Sequence, residues 1–587
     1  MHSPTHGTTP SRDAASEANA NPPPLLGLMM DYPLTLTHVL ERAARLFPRK
    51  EIASKGEHEI FRYTYRDFYE RVHRLAHVLK QLGVRPGDRV GTLCWNSHRH
   101  LELYFAVPCV GAVLHTLNLR LSSDQLAYII NHAEDQVIFV DASLLELLRP
   151  IRDQLVTKRF VVLEDVSKDE GDTDGEAAAA LLHEAGAGGR GPQRYEELLA
   201  AAPAAPYEWP RLDENTACAT CYTSGTTGHP KGVLYSHRAV TLHSFSLATV
   251  DSFGICEADT VLQLVPMFHA NGWGLPFAAI MTGARLVLSG RHLHPEDIAA
   301  LIRSERPTFT AGVPTLWMTL LPLLEKGACD PRCLRTIACA GSALPRRLVE
   351  EYEQRYGLRF TLAWGMTETT PIATVTKLKS HMGELPERER FDTLSRHGTP
   401  VAGVDVRIVD DQGAELVWDG RAMGELQVRG PWVTGGYFND PRGPERGQRE
   451  SFAAGWFRTG DVATIDAEGY IQIMDRTKDL VKSGGEWISS VDLENVIMAH
   501  PKVLEAAVIA LPHPKWQERP LAAVVPRPEH RGSLSKKDIL DFLKDRVARW
   551  WLPDDVVFID AVPKTSVGKF NKRALRQQFE DYKLPGT

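Results

Sequence analysis

The sequence predicts an α/β fold: a large N-terminal domain with a β-rich subdomain, followed by a small α+β C-terminal domain. Three observations carry that expectation. Arg335 to Ala340 reads as a strand, Gly341-Ser342-Ala343 turns, a helix opens at Pro345 and closes at Gly357, and the apolar run Phe360 to Ala363 follows. Such a strand–turn–helix–strand succession is the unit of a parallel sheet, whose ligand loops sit at the C-terminal ends of the strands. Alternating strands at Val404 to Val409, Glu425 to Arg429 and Tyr470 to Met474 mark the β-rich part. Beyond them, a helix from Val491 to Ala499 is stopped by Pro501, strands lie near Ala506 to Ala510 and Ala522 to Val525, and a helix spans Lys536 to Arg549. With 587 residues the chain exceeds one ordinary domain, for which roughly 100–200 residues is usual.

Composition sets limits on function. A hydrophobic fraction of 43% supports a large core, and a net charge of -7 gives no nucleic-acid footprint. No apolar run approaches the ~20 residues of a membrane span. Met1 to Pro24 is polar, without the apolar centre of a secretion signal or the arginines of a transit peptide, and reads as a disordered tail. The 8 cysteines are scattered. Cys218 and Cys221 form a C-x2-C without a matching pair, so they read as buried reduced thiols in a cytoplasmic protein. Asp165 to Pro210 and Pro441 to Glu450 hold runs of Gly, Ala, Pro and charge, and read as surface insertions.

The chemistry starts at Thr223-Ser224-Gly225-Thr226-Thr227-Gly228-His229-Pro230-Lys231-Gly232, which follows the strand-like run Ala217 to Tyr222. Its three glycines let backbone N–H groups turn toward an anion, its hydroxyls add donors, and Lys231 adds a cation, so the loop suits a polyphosphate. It lacks the Gly-Lys-Ser/Thr spacing of a Walker loop. Downstream stand Trp364-Gly365-Met366-Thr367-Glu368-Thr369 and Gly455-Trp456-Phe457-Arg458-Thr459-Gly460-Asp461. Then come Asp475-Arg476-Thr477-Lys478-Asp479-Leu480, Val481-Lys482-Ser483-Gly484-Gly485-Glu486 and Pro563-Lys564-Thr565-Ser566-Val567-Gly568-Lys569. Glu368 offers the hard oxygen that Mg²⁺ prefers. Thr367 followed by Glu368 is also the pattern of a capped helix start, a reading compatible with that role.

Taken in this order, the motifs resemble the acyl-adenylating (AMP-forming) enzymes, over nearly everything from Leu25 to Leu575. Pro266-Met267-Phe268-His269-Ala270-Asn271-Gly272-Trp273 narrows the likeness to bacterial medium- and long-chain fatty acyl-CoA synthetases. The resemblance implies an ATP-dependent, two-step activation of a fatty acid to acyl-CoA, with ATP, Mg²⁺ and coenzyme A. It implies a tail over residues 1–24, a domain over 25–474 for ATP and the acyl chain, a hinge over 475–480, and a mobile domain over 481–587.

By resemblance, Lys569, Thr223, Glu368 and His269 serve catalysis, with Thr223 and Glu368 holding Mg²⁺. The nucleotide falls to Thr223, Ser224, Gly225, Thr226, Thr227, Gly228, Lys231, Gly341, Ser342, Ala343, Trp364, Gly365, Met366, Thr367, Asp461 and Arg476. Trp273 is the acyl gate, Lys478 the hinge pivot, and Ser483, Gly484 and Gly485 the CoA channel. On spacing alone, Gly341 to Ala343 is equally a plain turn, His269 a loop histidine and Trp273 a core anchor. Gly272 and Gly274 are expected to leave room beside Trp273, favouring a long tunnel. A homodimer is implied, peripheral membrane contact is left open, and a separate carrier protein is the alternative acyl acceptor.

Overall fold

The computed structural model describes residues 27–157, 159–164, 193–223, 229–342, 344–440, 442, 447, 451–476, 479–483, 486–564 and 570–585. Met1–Pro33 and Leu34–Thr587 are separate compact units, and in the first the described residues carry neither helix nor strand. The expected tail over residues 1–24 lies outside the described residues.

Among the described residues the strands form four sheets. The first runs Gln193–Arg194, Phe160–Leu163, Val137–Asp141, Arg89–Leu93, Val113–Thr116, Ala217–Tyr222, Gly232–Ser236, and is parallel up to its last, antiparallel pair. The second runs Thr399–Pro400, Ile372–Val375, Phe360–Gly365, Thr336–Cys339, Phe309–Gly312, Thr260–Gln263, Arg285–Leu288, Glu51–Lys55, Ile60–Thr64, parallel inside and antiparallel at both ends. Strands covered on both faces need continuous apolar runs, and Val137, Ile138, Phe139 and Val140 are all fully buried. The helix His98–Cys109 is buried along its whole length.

Asn96 stitches the two sheets together where their strands end. Its Nδ2 donates to the Gln263 and Val265 carbonyls at 3.1 and 3.0 Å, and its Oδ1 accepts from the Met267 N–H at 2.7 Å. The loops beyond the strands' C-terminal ends are thereby gathered on one side. The β-rich part forms the third sheet, antiparallel over Asp405–Val409, Gly424–Arg429, Trp456–Ile465 and Ile471–Arg476. The fourth sheet belongs to the small α+β domain, where Val503–His513 and Gln517–Pro526 pair antiparallel and Asp555–Phe558 joins in parallel.

The helix between Pro345 and Gly357 stands as expected, over Arg346–Tyr356. Gly357 (φ +67°) closes it by donating its N–H to the Tyr352 and Glu353 carbonyls. Three expectations need correction. The helix expected to reach Arg549 ends at Lys544. The chain turns there, with the Arg546 and Val547 N–H groups both on the Leu543 carbonyl, and resumes only as the 3₁₀ turn Arg549–Trp551, where Arg519 takes the Trp550 and Leu552 carbonyls at 2.7 and 2.9 Å. Within the expected insertion 165–210, residues 165–192 lie outside the described residues, but 193–201 form a strand and a helix. Tyr195 is buried and donates to Glu102 at 2.6 Å, while Glu196 accepts from Arg71 and Arg99, so this stretch is core. Finally, Thr367 caps no α-helix. Thr367–Thr369 is a single 3₁₀ turn entered through Met366, and the strand Ile372–Val375 follows directly.

The open edge of the second sheet carries a charge cluster. The Glu305 carboxylate, 1% exposed, accepts from Arg62 at 2.7 Å and Arg285 at 2.6 Å, and Arg285 also reaches Glu51. Burial alone raises a carboxyl pKa, but the bonds from Arg62 and Arg285 prevail and hold Glu305 at about 2. A depressed folded-state pKa gives stability that is present above the unfolded value near ~4.3 and is lost as pH falls through the folded value. Glu305→Gln is therefore expected to cost about 1–3 kcal/mol at neutral pH, because Arg62 and Arg285 reach solvent and keep Glu51 as a partner. Urea midpoints of the variant and wild type should converge as pH falls from about 4 toward 2. A gap that stayed constant down to pH 2 would refute the ion-pair account.

Candidate active site

The phosphate-loop motif leaves one strand and enters the next. Tyr222 and Gly232 face each other in the antiparallel pair, and the Thr223 N–H donates to the Lys231 carbonyl at 3.0 Å. In return the Lys231 N–H donates to Thr223 Oγ1 at 3.1 Å, so the two ends of the loop close on each other. Gly232 is required here, since a Cβ would lie 2.9 Å from Tyr222 Cζ. The Lys231 ammonium sits 4.7 Å from the centre of the Tyr437 ring. Ser224, Gly225, Thr226, Thr227 and Gly228 lie outside the described residues.

Glu368 stands on the turn between Phe360–Gly365 and Ile372–Val375. Gly365 permits that turn, because a Cβ there would lie 1.8 Å from the Pro371 carbonyl oxygen. Three bonds fix the turn from outside. Tyr235 Oη donates to the Thr367 carbonyl at 2.8 Å, the Thr434 N–H to the Glu368 carbonyl at 2.8 Å, and Tyr437 Oη to Glu368 Oε1 at 2.7 Å. Burial raises the Glu368 pKa, against the opposing pull of the Tyr437 hydroxyl and, at longer range, of Arg476 and Lys231. A buried carboxylate so poorly compensated fits a dication that takes one or two protein oxygens plus phosphate oxygens, as Mg²⁺ does. Among the described residues no cluster of three His, Cys, Asp or Glu could hold a metal by itself.

Asp461 lies a short way along the third sheet, opposite Arg476. Its Oδ2 accepts from the Trp364 indole N–H at 2.9 Å and its Oδ1 pairs with Arg476 Nε at 3.0 Å. Each carboxylate oxygen keeps a second acceptor position, which leaves Asp461 able to receive two sugar hydroxyls. Trp364 is thereby locked by the residue it was expected to accompany. Gly341 (φ +95°) and Ser342 follow the strand Thr336–Cys339, which runs parallel to Phe360–Gly365, so they flank Met366 at the same end of the sheet. Ala343 lies outside the described residues.

On the acyl side the chain takes an unusual path. Ala270, Asn271, Gly272, Trp273 and Gly274 all have positive φ, from +35° to +72°, in sequence. Left-handed backbone at non-glycine residues costs on the order of 1–2 kcal/mol each. The run is held by the Asn271 N–H on Cys221 Sγ at 3.2 Å, Asn271 Nδ2 on Thr116 Oγ1 at 3.3 Å, and Gln263 Nε2 on the Gly272 carbonyl at 3.2 Å. Trp273 is buried in the main core at 5% exposure. The room expected beside it is filled: a Cβ on Gly274 would meet His243 Nδ1 at 2.6 Å, and one on Gly272 would meet Gln263 at 3.0 Å. These glycines serve the left-handed path. His269 is half-buried just before the run, its N–H donating to the Pro266 carbonyl.

Lys478, Gly484, Gly485 and Lys569 lie outside the described residues. Lys564 and Phe570, on either side of 565–569, pair with each other, so that loop also starts and ends at one place. Ser483 is buried and accepts from Arg519 at 3.0 Å, which makes it part of the small domain's own packing. Asp475 is buried as well. Its backbone pairs with Val462 of the large domain, while its Oδ2 accepts from the Ser490 N–H at 2.9 Å at the start of a small-domain helix. The sequence reading missed Tyr437, Tyr235 and Asn96. Only Tyr437 carried a local signal, an aromatic directly after Gly435-Gly436.

Comparison with known proteins agrees with this geometry. Residues 40–438 match the family of AMP-binding enzymes, and residues 492–569 match the AMP-binding enzyme C-terminal domain. A long-chain-fatty-acid–CoA ligase of Thermus thermophilus is 48% identical, over 94% of this chain and 97% of its own length. A 3-methylmercaptopropionyl-CoA ligase of Ruegeria lacuscaerulensis is 43% identical over 95% and 99%. The crystal structure of ATP-bound MatB from Rhodopseudomonas palustris superposes with a TM-score of 0.76 at 27% identity, covering 94% of this chain and all of that one. With both domains matched in order, and the two candidate carboxylates held where the sheets converge, the chain belongs to the AMP-binding enzyme family.

Proposed function

We propose that this chain is an AMP-forming fatty acid:CoA ligase acting on a medium- or long-chain acid. The observation that carries the reading is Glu368, buried and undercompensated, on a turn fixed by Tyr235, Tyr437 and Thr434 beside the ends of the phosphate loop. A carboxylate resists attack by a thiol because oxide is a poor leaving group. Its attack on the α-phosphate of ATP gives an acyl adenylate and pyrophosphate. The CoA thiol then displaces AMP to give the thioester.

Each residue has a task in that sequence. Lys231 and the loop Thr223–Gly228 receive the pyrophosphate, and Lys569 meets the fatty carboxylate and α-phosphate where negative charge gathers. Glu368 and Thr223 would hold Mg²⁺, which when bound would neutralise phosphate charge. Asp461 and Arg476 hold the ribose side, Gly341 to Ala343 and Trp364 the adenine side, and Thr367 donates to a phosphate. His269 stands at the acyl entrance, and Trp273 closes the tunnel. Residues 475–480, pivoting at Lys478, let residues 481–587 exchange Lys569 for the Ser483 to Gly485 loop at the CoA channel.

We read the protein as a cytoplasmic homodimer. Among the described residues no helix is long and apolar enough to cross a membrane. A second reading, activation of a short thioether acid, is favoured by the Ruegeria relative and by the filled space around Gly274. Pyrophosphate release with a panel of even-numbered fatty acids and 3-methylmercaptopropionate, with CoA or a carrier protein as acceptor, decides among these.

Four substitutions test this reading. Glu368→Gln is expected to weaken Mg²⁺-ATP use, because a neutral amide ligates a hard dication poorly. Tyr437→Phe removes a bond that lowers the Glu368 pKa, so the acid limb of the pH–rate profile should move to higher pH. Unchanged magnesium titrations and an unmoved acid limb would refute the assignment. Trp273→Ala should alter chain-length preference or the order in which ATP and acid bind; wild-type values for both would make Trp273 a core residue only. Lys569→Ala should slow adenylation by about 10²–10³-fold, the effect of losing one charge-directed contact. The same variant should still convert supplied acyl adenylate and CoA to acyl-CoA. Equal loss of both half-reactions in a folded protein would place Lys569 in a site shared by both steps.

A further inference from the structure

The helix Ser123–Ala133 belongs to none of the motifs, yet two of its side chains one turn apart reach the phosphate loop. Tyr128 stacks on His229 of that loop with ring centres 4.5 Å apart, and it lies 5.2 Å from His132. His132 makes the more consequential contacts. Its Nδ1 is 2.8 Å from Tyr222 Oη and its Nε2 is 3.1 Å from the Asn439 carbonyl. A neutral imidazole satisfies both, with Nδ1 accepting the phenol proton and Nε2–H donating to the carbonyl.

These two partners are the stems of the site. Tyr222 directly precedes Thr223. Asn439 follows Phe438, whose N–H donates to the Gly232 carbonyl at 2.9 Å, and Gly232 directly follows Lys231. The Tyr222 ring also lies against the Gly232 α-carbon, the contact that excludes a Cβ there. Beneath that ring sits the His115 imidazole, centres 5.0 Å apart, fixed by a 2.9 Å bond to Asp135, both side chains being fully buried. Tyr222 is thus pinned from below by His115 and at its tip by His132.

We propose that His132 is a positioning residue for the nucleotide step: through Tyr222 and Asn439 it sets the placement of Thr223 and Lys231 against the ATP phosphates. The inference rests on the assignment of this loop to ATP. Shape alone also needs a packed ring at position 132, so the test must separate affinity from folding. It uses the full chain as wild type, His132→Ala, His132→Asn, His132→Gln, Tyr222→Phe and the double variant His132→Ala/Tyr222→Phe. Calorimetry reports Mg²⁺-ATP affinity without acid, pyrophosphate release gives KM for ATP and for fatty acid, and thermal melts report folding.

His132→Ala is expected to weaken Mg²⁺-ATP binding about 10-fold, the scale of one or two net hydrogen bonds, with KM for fatty acid unchanged. Asn places its amide near the Nδ1 position and Gln near the Nε2 position, so each should recover part of the loss. Tyr222→Phe should weaken ATP binding too, and the double variant should bind no worse than His132→Ala, because both remove the same strap. The proposal is overturned if melting temperature falls while ATP affinity stays at the wild-type value, or if the two single effects multiply. Should His132→Ala fail to fold, His132→Asn and Tyr222→Phe carry the same comparison. If wild type binds ATP but releases no pyrophosphate with fatty acids, the substrate reading falls and the strap stands. If wild type and His132→Ala bind ATP equally, the strap falls and the substrate reading stands.

Discussion

The carboxylate of Glu368, buried so that desolvation outweighs the phenol bond and the longer-range pull of Arg476 and Lys231, is the constraint around which this site is arranged. Desolvation opposes the charged form of Glu368, and one phenol hydroxyl offsets only part of that cost. Keeping such a group in place requires a turn that cannot relax toward water. Gly365 lets the chain pass the Pro371 carbonyl, Tyr235 and Thr434 clamp the turn's own carbonyls, and Tyr437 holds the side chain. Tyr235 comes from the first sheet, and Thr434 and Tyr437 from the connection between the third-sheet strands Gly424–Arg429 and Trp456–Ile465. The acid is therefore assembled from parts far apart in sequence, and the sheets must converge before it exists.

Asn96 shows how that convergence is enforced. From just past the end of a first-sheet strand, one primary amide satisfies two carbonyls and one N–H at and beyond the end of the second-sheet strand Thr260–Gln263. Backbone groups buried at such a junction must be bonded, and a side chain with donors and acceptor on one plane does so without extra chain. Nothing adjacent to Asn96 in sequence announces this, since its partners are about 170 residues away in the chain.

The elements that were legible are those bounded by their own chemistry. The helix Arg346–Tyr356 starts after a proline and stops at a glycine in the left-handed region, and the strand Ala217–Tyr222 stands where its apolar run places it. The illegible parts answer to distant residues. The segment after Lys544 has helical composition but re-forms only as the 3₁₀ turn Arg549–Trp551, where the distant Arg519 takes two carbonyls, and Tyr195 and Glu196 look like loop until Glu102, Arg71 and Arg99 are placed beside them. In the candidate site, the motifs singled out Glu368, Asp461, Trp364 and Arg476, and the fold brings Trp364 and Arg476 onto the Asp461 carboxylate. The supporting tyrosines were hidden because a tyrosine in a strand or turn looks the same whether or not its hydroxyl is used. Gly272 and Gly274 misled for a related reason: absence of a side chain signals free space or a left-handed path equally well, and here it is the path.

Asp475 ties the large domain to the small one, and this bears on the rotation proposed above. Its backbone is woven into the large domain's third sheet while its carboxylate bonds Ser490, and Ser490 in turn meets the buried Lys572 ammonium, which is 2.8 Å from Glu494. Any pivot located downstream of this residue moves Ser490 and leaves Asp475 behind. In the rotation proposed above that bond would have to break first, and a buried carboxylate would be exposed or find another partner. On that proposal the contact would act as a clutch: it would add nothing to either chemical step, but would slow departure from the arrangement seen here.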